Sequence, residues 1–405
     1  PADFGFNPNY RETLQKYPSL FPSTPSEQAP DVIAYVDPKF KMPQVWRSNL
    51  NVDIQLPYDF MLSVGAMYTR DIYNVAQINM NEAEPTGVYN EQPDRIYWAS
   101  KKYEYNDYTN GKNVVVKLSN GEDKGYQYSF NAILTKKYDF GFTGSIGYTY
   151  TMAKDLTANP GSAPNSAWQN NVAVNSLNDP GVSYSLFSTP HRIIANASYE
   201  INYAKCLKTT FSLFYSGYHT GRYSYTYYND MNGDGNYSDL IYVPNSQDEM
   251  TFVDITDKSG AITYSAVDQA KDFWDFVNND SYLKDRKGKY VERNGSLTPW
   301  INRFDFKIAQ DFYATLGGRK YGIQVSLDML NVGNMINSKW GAYQSCGLKS
   351  YDNVQLLKTA SKVGEPLTYQ INANSREAFK ERSSWQYTNT IGSAWSMQLG
   401  VKVTF

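Results

Sequence analysis

The residues with the clearest chemical potential form a short run of acidic and amide side chains in the third quarter of the chain. Oxygen-bearing side chains occupy the first, third and fifth positions of this run, and Gly235 occupies the sixth, as at the start of an EF-hand-type calcium loop. Hard Ca²⁺ needs several oxygens at short range, and a tight turn brings alternate residues towards one point. The predicted ligands are Asp230, Asn232, Asp234, Asn236 and Asp239.

The match to a calcium loop weakens after Gly235. The twelfth position, where that motif has a bidentate Glu, is Ile241, so Asp239 would supply the late carboxylate and the Asn236 carbonyl the middle ligand. The alternative is a polar turn without a metal, because Asn-Gly and Asp-Gly pairs favour turn conformations. Under either hypothesis we expect the segment to stiffen a loop rather than to catalyse a reaction, and we expect no other cofactor.

The sequence offers no catalytic constellation. His191 and His219 are its only histidines, and no recognisable nucleophile motif lies between them. We therefore expect that the protein is not an enzyme. His191 follows Pro190 at the start of a predicted strand, which favours a position at a membrane interface over metal binding.

The elements that would carry these residues are long amphipathic strands, and the C-terminal segment shows their pattern most clearly. Its apolar residues occupy every second position, and the chain ends on phenylalanine. Alternation with period two predicts a strand with one apolar and one polar face. The apolar positions are Trp395, Met397, Leu399, Val401, Val403 and Phe405.

Eight further segments repeat this alternation, which predicts about nine long strands in total. They cover residues 50–56, 60–68, 126–134, 142–152, 193–201, 211–215, 304–312 and 321–329. Charged residues between the apolar positions would be very costly against lipid, so they assign the polar face to a wet lumen. These charged residues are Asp53, Asp305, Lys307, Asp328 and Lys402.

The connections between the strands indicate the architecture. Short turns follow Leu56, Lys137, Tyr203 and Ala314, whereas polar segments of roughly 35 to 80 residues join the hairpins. Such long connections are unusual in compact soluble domains, but tight periplasmic turns alternating with long extracellular loops are typical of outer-membrane barrels. The sequence therefore predicts an all-β fold, a transmembrane antiparallel β-barrel in the outer membrane with a periplasmic C-terminus.

The composition agrees with a barrel. The chain has 36 tyrosines and 8 tryptophans in 405 residues, and such rings are favoured at both membrane interfaces. Charged residues make up 19% and the net charge is −2, so nothing suggests nucleic-acid binding. The mean hydropathy of −0.56 is compatible with strands that alternate lipid-facing and lumen-facing residues.

Two features of the longest predicted loop lead to further expectations. The segment Lys271–Phe276 has apolar and charged residues at helical spacing and predicts a short surface helix. Five nearby tyrosines would form either an aromatic girdle at the membrane or a stacking surface for sugars or peptides, and we favour the girdle. These residues are Tyr218, Tyr223, Tyr225, Tyr227 and Tyr228.

The strand count predicts that the chain is the C-terminal part of a larger barrel. Short strands around Arg95–Trp98 and Val114–Leu118 would add one pair and raise the count to about 11. Because the C-terminus is predicted to be periplasmic, an odd count places residue 1 on the extracellular side of the membrane. Bacterial single-chain barrels have even strand numbers and normally start in the periplasm. We expect residues 1–42 to be an extracellular lead-in and residues 43–405 to be barrel strands and loops, with no plug domain in this chain.

Seven segments, in their order along the chain, resemble the Oar-like TonB-dependent receptors of the Bacteroidota. The resemblance implies a barrel of about 22 strands, a plug domain in its lumen, and passage of a large or scarce ligand that is energised through TonB. The plug and the TonB box would lie in another portion of the protein or in another chain. The segments are Asp31–Pro43, Val114–Tyr126, Tyr148–Lys154, Ser188–Ile193, Asp234–Pro244, Asn302–Phe306 and Asp328–Asn334.

Two hypotheses for the function follow. In the first, the chain is the barrel of a TonB-dependent receptor or transporter, whose extracellular loops capture a ligand that is moved across the outer membrane. In the second, the same barrel is a surface scaffold or adhesin without active transport, paired with a surface lipoprotein. Under both, the expected partners are outer-membrane lipid and the barrel-assembly machinery, which would recognise the terminal strand ending in Phe405.

Overall fold

The computed structural model describes residues 10–17, 32–105, 114–346, 349–350, 353–372, 379, 385–388 and 390–405. The predicted lead-in is therefore described only in part, since residues 1–9 and 18–31 lie outside these ranges. The main element is one antiparallel sheet of nine long strands in chain order, which we number barrel strands 1 to 9. They are Gln44–Leu56, Phe60–Tyr73, Tyr126–Lys137, Phe142–Asp155, His191–Tyr203, Leu207–His219, Trp300–Leu316, Arg319–Leu330 and Ser396–Thr404. All nine predicted strands are confirmed.

The register of the sheet aligns the apolar positions of neighbouring strands on one face. Ile308 pairs with Leu327, which pairs with Leu399. On the opposite face Lys307 pairs with Asp328, and the Lys307 Nζ lies 2.8 Å from a carboxylate oxygen of Asp328. Because a slip of one residue would exchange the two faces, this alternation specifies the register. The polar face also carries the other charges predicted for it, which are Asp53, Asp305 and Lys402.

Four tight turns join the strands in pairs at one end of the sheet. After strand 7 the turn is formed by Gly317 and Gly318, both with positive φ, and such turns match the twist of hairpin strands. Gly141 is required in the turn after strand 3, since a Cβ there would collide with a carbonyl oxygen of strand 5. The four predicted turns are confirmed, although strand 7 extends to Leu316 instead of ending at Ala314.

The other end of the sheet carries four long connections, residues 74–125, 156–190, 220–299 and 331–395. We call these connections, with the strand Val32–Val36 that pairs with one of them, the loop layer. Its other short strands are Ala76–Asn79, Gly87–Val88, Ile96–Tyr97, Val114–Ser119, Ser183–Tyr184, Arg222–Tyr227, Tyr242–Val243, Thr251–Phe252, Ile255–Thr256, Ile262–Tyr264, Lys289–Tyr290, Ser296–Leu297, Gln344–Cys346, Lys349–Ser350, Asn353–Thr359, Thr368–Ile371 and Trp385–Tyr387.

Helices are few and short. The predicted surface helix is confirmed as Ala266–Asn279, whose first turn is capped by the Ser265 hydroxyl accepting a hydrogen bond from the Asp268 backbone N–H. No helix within the described ranges is long and apolar enough to cross a membrane. The other helical segments are Tyr10–Lys16, Pro164–Gln169 and Gly333–Ile336, with 3₁₀ turns at Pro57–Asp59, Gln247–Glu249 and Leu283–Asp285.

The two additional barrel strands predicted around Arg95–Trp98 and Val114–Leu118 are wrong. Ile96–Tyr97 pairs with another short strand of the same connection, and Val114–Ser119 is the central strand of a separate three-stranded sheet. Valines of the latter strand pack against the buried Trp168. Their alternation therefore reflects a protein core rather than lipid, and periodicity alone does not distinguish the two environments.

Candidate functional site in the loop layer

The loop layer has a hydrophobic core of its own, to which all four long connections contribute. Tyr89, Val172, Phe276 and Leu356 come from the first to the fourth connection, and all are buried in one cluster. Segments that bury apolar side chains against one another stabilise one another's conformation. The loop layer is thus a folded platform that positions side chains, rather than four separate loops.

The strand Arg222–Tyr227 lies inside this core, and all six of its residues are buried. Tyr225 donates a hydrogen bond of 2.8 Å to the Asp280 carboxylate, and burial raises the pKa of Tyr225 well above its ordinary value. Tyr223 and Tyr227 are equally enclosed. For these three tyrosines the predictions of a membrane girdle and of a stacking surface are both wrong, because the folding of distant connections over this strand covers their rings.

Aromatic rings do line the apolar face near the loop layer, but they belong to the barrel strands. Three of the contacting ring pairs, with centroids between 5.0 and 6.1 Å apart, are Trp46–Tyr68, Tyr150–His191 and His219–Trp300. His191 also lies with its Nδ1 2.7 Å from the Tyr148 hydroxyl. His191 therefore lies among tyrosines at the start of strand 5, and its position at a membrane interface stays a prediction.

The predicted metal loop forms a turn whose side chains bond to its own backbone. Each alternate polar side chain accepts hydrogen bonds from N–H groups further along the turn. These bonds run from Gly233 N (2.7 Å) and Gly235 N (2.9 Å) to the Asp230 carboxylate, from Asp234 N (3.0 Å) to Asn232 Oδ1, and from Asn236 N (2.7 Å) to Asp234 Oδ1. Gly235 has a φ of 94°, which a residue with a Cβ rarely adopts. Four of the five predicted ligands therefore lie in one turn.

The fifth predicted ligand, Asp239, closes the segment. One carboxylate oxygen accepts a hydrogen bond of 3.0 Å from the Met231 N–H, and the other lies 3.5 Å from the Arg95 guanidinium. Within the part of the chain that the structure describes, no three His, Cys, Asp or Glu side chains are grouped closely enough to hold a metal ion. An ion at this turn would therefore also need amide and backbone oxygens, which Ca²⁺ accepts.

Charge in this turn is poorly compensated. Burial, with the negative charges of Asp239 and Asp230, raises the pKa of Asp234 well above its ordinary value. Burial raises the pKa of Asp239 to about 7, although the Arg95 guanidinium acts to lower it. The side-chain nitrogens of Asn232 and Asn236 are buried. Among the described residues that of Asn232 has no hydrogen-bond partner, and the side chain of Asn236 lies against the Asp234 carboxylate without a hydrogen bond of proper geometry from its nitrogen.

Arg95 is a buried residue at the centre of the loop layer, and the sequence predicted no role for it. It is fully buried, donates hydrogen bonds to the carbonyl oxygens of Val174 and Leu240, and lies 4.8 Å from the centre of the Tyr290 ring. With its ion pair to Asp239, it joins the first three connections. No sequence signal marks it, because an arginine in a polar segment is ordinarily exposed.

A concave surface with a volume of about 610 Å³ lies beside the turn and includes Gly235 and Asn236 in its wall. Two tyrosines on it keep accessible rings, with Tyr228 46% and Tyr237 66% exposed. The remaining described lining residues are uncharged and mostly amides, namely Gln169, Asn170, Asn229, Ser238, Asn353 and Gln355. We call this surface the amide pocket.

The predicted C-terminal strand is confirmed as strand 9, which pairs only with strand 8 within the described ranges. Its apolar residues are exposed on the apolar face of the sheet, and Phe405 follows its last residue. Those positions are Trp395, Met397, Leu399, Val401, Val403 and Phe405.

Comparison with known proteins agrees with this architecture. A family model described as an outer membrane beta barrel domain matches residues 3–342, which include eight of the nine barrel strands. Searches of curated proteins and of solved structures found no match to this chain. The chain therefore belongs to the outer membrane beta barrel domain family and is an outer-membrane barrel protein.

Proposed function

We propose that this barrel is the transmembrane part of a TonB-dependent receptor, whose loop layer captures a ligand and whose lumen lets it pass. The observation that carries the proposal is the difference between the two ends of the sheet. Tight turns close one end, and a folded layer with its own core and the amide pocket covers the other. Binding sites need side chains held in place by a rigid scaffold, which a shared core supplies. The seven segments that resemble Oar-like receptors support the same function.

The proposed orientation puts the loop layer outside the cell and the tight turns in the periplasm, as in bacterial single-chain barrels. Strand 9 then ends in the periplasm, where the barrel-assembly machinery would recognise Phe405. TonB would act from the same side through a plug held against the polar face. Charged pairs such as Lys307–Asp328 offer that plug polar contacts.

The amide pocket favours a neutral, hydroxyl-rich ligand such as an oligosaccharide. The exposed rings of Tyr228 and Tyr237 are flat apolar surfaces on which a sugar face can stack. Amide side chains both donate and accept hydrogen bonds, as hydroxyl groups require, and the uncharged lining does not select an ionic ligand. A volume of about 610 Å³ is within the range of small-molecule sites.

Cross-linking of the full-length protein in intact cells, followed by purification, tests energy coupling. We expect a cross-linked product with TonB that disappears when the TonB box of the full-length protein is deleted. A full-length protein without a plug domain and a TonB box would overturn the transport proposal. It would favour the surface scaffold instead, with a surface lipoprotein as the partner to be sought.

Binding of the purified protein to a glycan array tests the ligand class. Loss of one stacking ring removes about 1 kcal/mol, so we expect Tyr237→Ala to weaken binding roughly fivefold. Tyr58→Ala is the matched control, because Tyr58 is an exposed tyrosine in a tight turn at the other end of the sheet. Absence of binding to any glycan, or equal binding by the two variants, would contradict an oligosaccharide ligand.

A further inference from the structure

We propose that the Asp230–Asp239 turn is a calcium site, in which carboxylate, amide and backbone oxygens hold one Ca²⁺ and thereby stiffen the centre of the loop layer. The proposal does not depend on transport, because the turn lies in the folded loop layer whatever passes through the barrel. Three independent observations support it: the conformation of the turn, an unsatisfied buried amide, and an excess of negative charge.

The conformation of the turn is prepared for a cation. The bond from the Gly235 N–H to Asp230 links the first and sixth positions of the motif and keeps the turn closed without a ligand. Each side-chain oxygen that accepts one N–H group keeps a second lone pair for a metal ion. Alternate residues Asp230, Asn232 and Asp234 therefore present oxygens from a backbone that is already ordered.

Asn236 provides the observation that points to a missing ligand. Its side chain is almost fully buried and lies against the Asp234 carboxylate. Its amide nitrogen nevertheless has no hydrogen-bond partner of proper geometry among the described residues. The two ends of an amide are distinguished only by their partners, so a flip would direct the oxygen of Asn236 to a cation beside Asp234. A bound ion would satisfy this side chain, and Ca²⁺ accepts amide oxygens as ligands.

The charge of the site also favours a cation. Asp230, Asp234 and Asp239 are three carboxylates in one buried turn, and they face two cationic side chains, Arg95 on Asp239 and Lys102 beside Gly235. A doubly charged ion removes the repulsion that remains. The donors are oxygens alone, with no histidine or cysteine in the turn, which favours a hard ion over zinc or copper.

A bound ion would act on more than its own turn. The Trp98 N–H of the first connection donates to the Asn232 carbonyl (2.7 Å). From the second connection, Ala173 donates to the Ser238 carbonyl (3.3 Å) and accepts from the Leu240 N–H (2.9 Å). Gly235 and Asn236 also form part of the wall of the amide pocket. Calcium would therefore order three connections and the pocket together.

The test uses the intact protein in detergent micelles after removal of calcium with EGTA. Titration calorimetry with Ca²⁺, and luminescence of Tb³⁺ excited through Tyr103, whose hydroxyl lies beside Gly235, report binding. We expect one ion per chain and a higher melting temperature of the loop layer with Ca²⁺. Asp234→Asn should weaken binding at least about tenfold, yet should be no less stable than the wild type in EGTA, because it removes repulsion.

Asp257→Asn is the matched control, since Asp257 accepts similar backbone hydrogen bonds from Ser259 and Ala261 in an exposed turn. It should bind Ca²⁺ as the wild type does. Asn236→Ala, which changes no charge, is the second variant and should also weaken binding if Asp234→Asn fails to fold. Absence of binding at millimolar Ca²⁺, or unchanged binding in Asp234→Asn or in Asn236→Ala, would overturn the proposal.

Discussion

Replacing Arg95 with alanine should open the loop layer while leaving the barrel sheet intact. The guanidinium is fully buried and bonds to the carbonyl oxygens of Val174 and Leu240, and it pairs with the Asp239 carboxylate at 3.5 Å. Arg95→Ala leaves Asp239 buried without this partner and leaves a cavity between the Tyr227 and Tyr290 rings. The damage is confined to the end of the sheet that carries the long connections.

The magnitude follows from the burial of both partners. Breaking a buried ion pair by removing one member costs about 3–5 kcal/mol, because the other charge remains without compensation. Since 1.4 kcal/mol corresponds to a factor of ten, the population of opened loop layer should rise by a factor between about 10² and several times 10³. Proteolysis measures that population when opening and closing are fast relative to cleavage.

The assay is limited proteolysis of the intact protein in detergent micelles, with cleavage sites identified by mass spectrometry. We expect faster cleavage in residues 74–105, 156–190 and 220–299 but not in the barrel strands. Lys101→Ala is the control in the same connection, because its ion pair with Glu104 is exposed to solvent and its loss should hardly change stability. The double variant Arg95→Ala/Asp239→Asn should recover part of the lost stability of the loop layer, because no unpaired buried charge then remains at this ion pair. Equal cleavage of Arg95→Ala and Lys101→Ala would refute the reasoning.

Two further predictions concern the barrel strands. Leu399→Lys puts a charge on the apolar face and should lower the stability of the barrel in the membrane by about 2–4 kcal/mol. Gln398→Lys puts the same charge on the polar face and should change stability little. Heat-modifiable mobility in gels would report the folded fraction of each variant. Similar folded fractions would show that the two faces are wrongly assigned. Deletion of Phe405 should lower the amount of assembled barrel in cells but not the stability of the folded barrel. Quantitative blotting measures the first quantity, and thermal melting of the purified barrel measures the second. Unchanged assembly would contradict the proposed recognition of Phe405 by the assembly machinery.

The amino-acid sequence by itself determined the barrel strands and the conformation of the turn from Asp230 to Asn236. Strands such as Ser396–Thr404 alternate because lipid and lumen impose opposite polarity on successive residues, and this pattern is visible in a single segment. The turn is equally local, since its hydrogen bonds join residues two to five positions apart. Where neighbours in sequence decide a structure, the sequence predicts it.

Only the tertiary structure decided what the long connections do. Arg95 meets its carbonyl partners 79 and 145 residues away, so its burial depends on contacts that no local pattern encodes. For the same reason the rings of Tyr223, Tyr225 and Tyr227 lie in a core instead of at the membrane. Val114–Ser119 has the alternation of a barrel strand, but its apolar side faces protein. Alternation reveals that one side of a strand is apolar, whereas the folded chain decides whether lipid or another loop covers it.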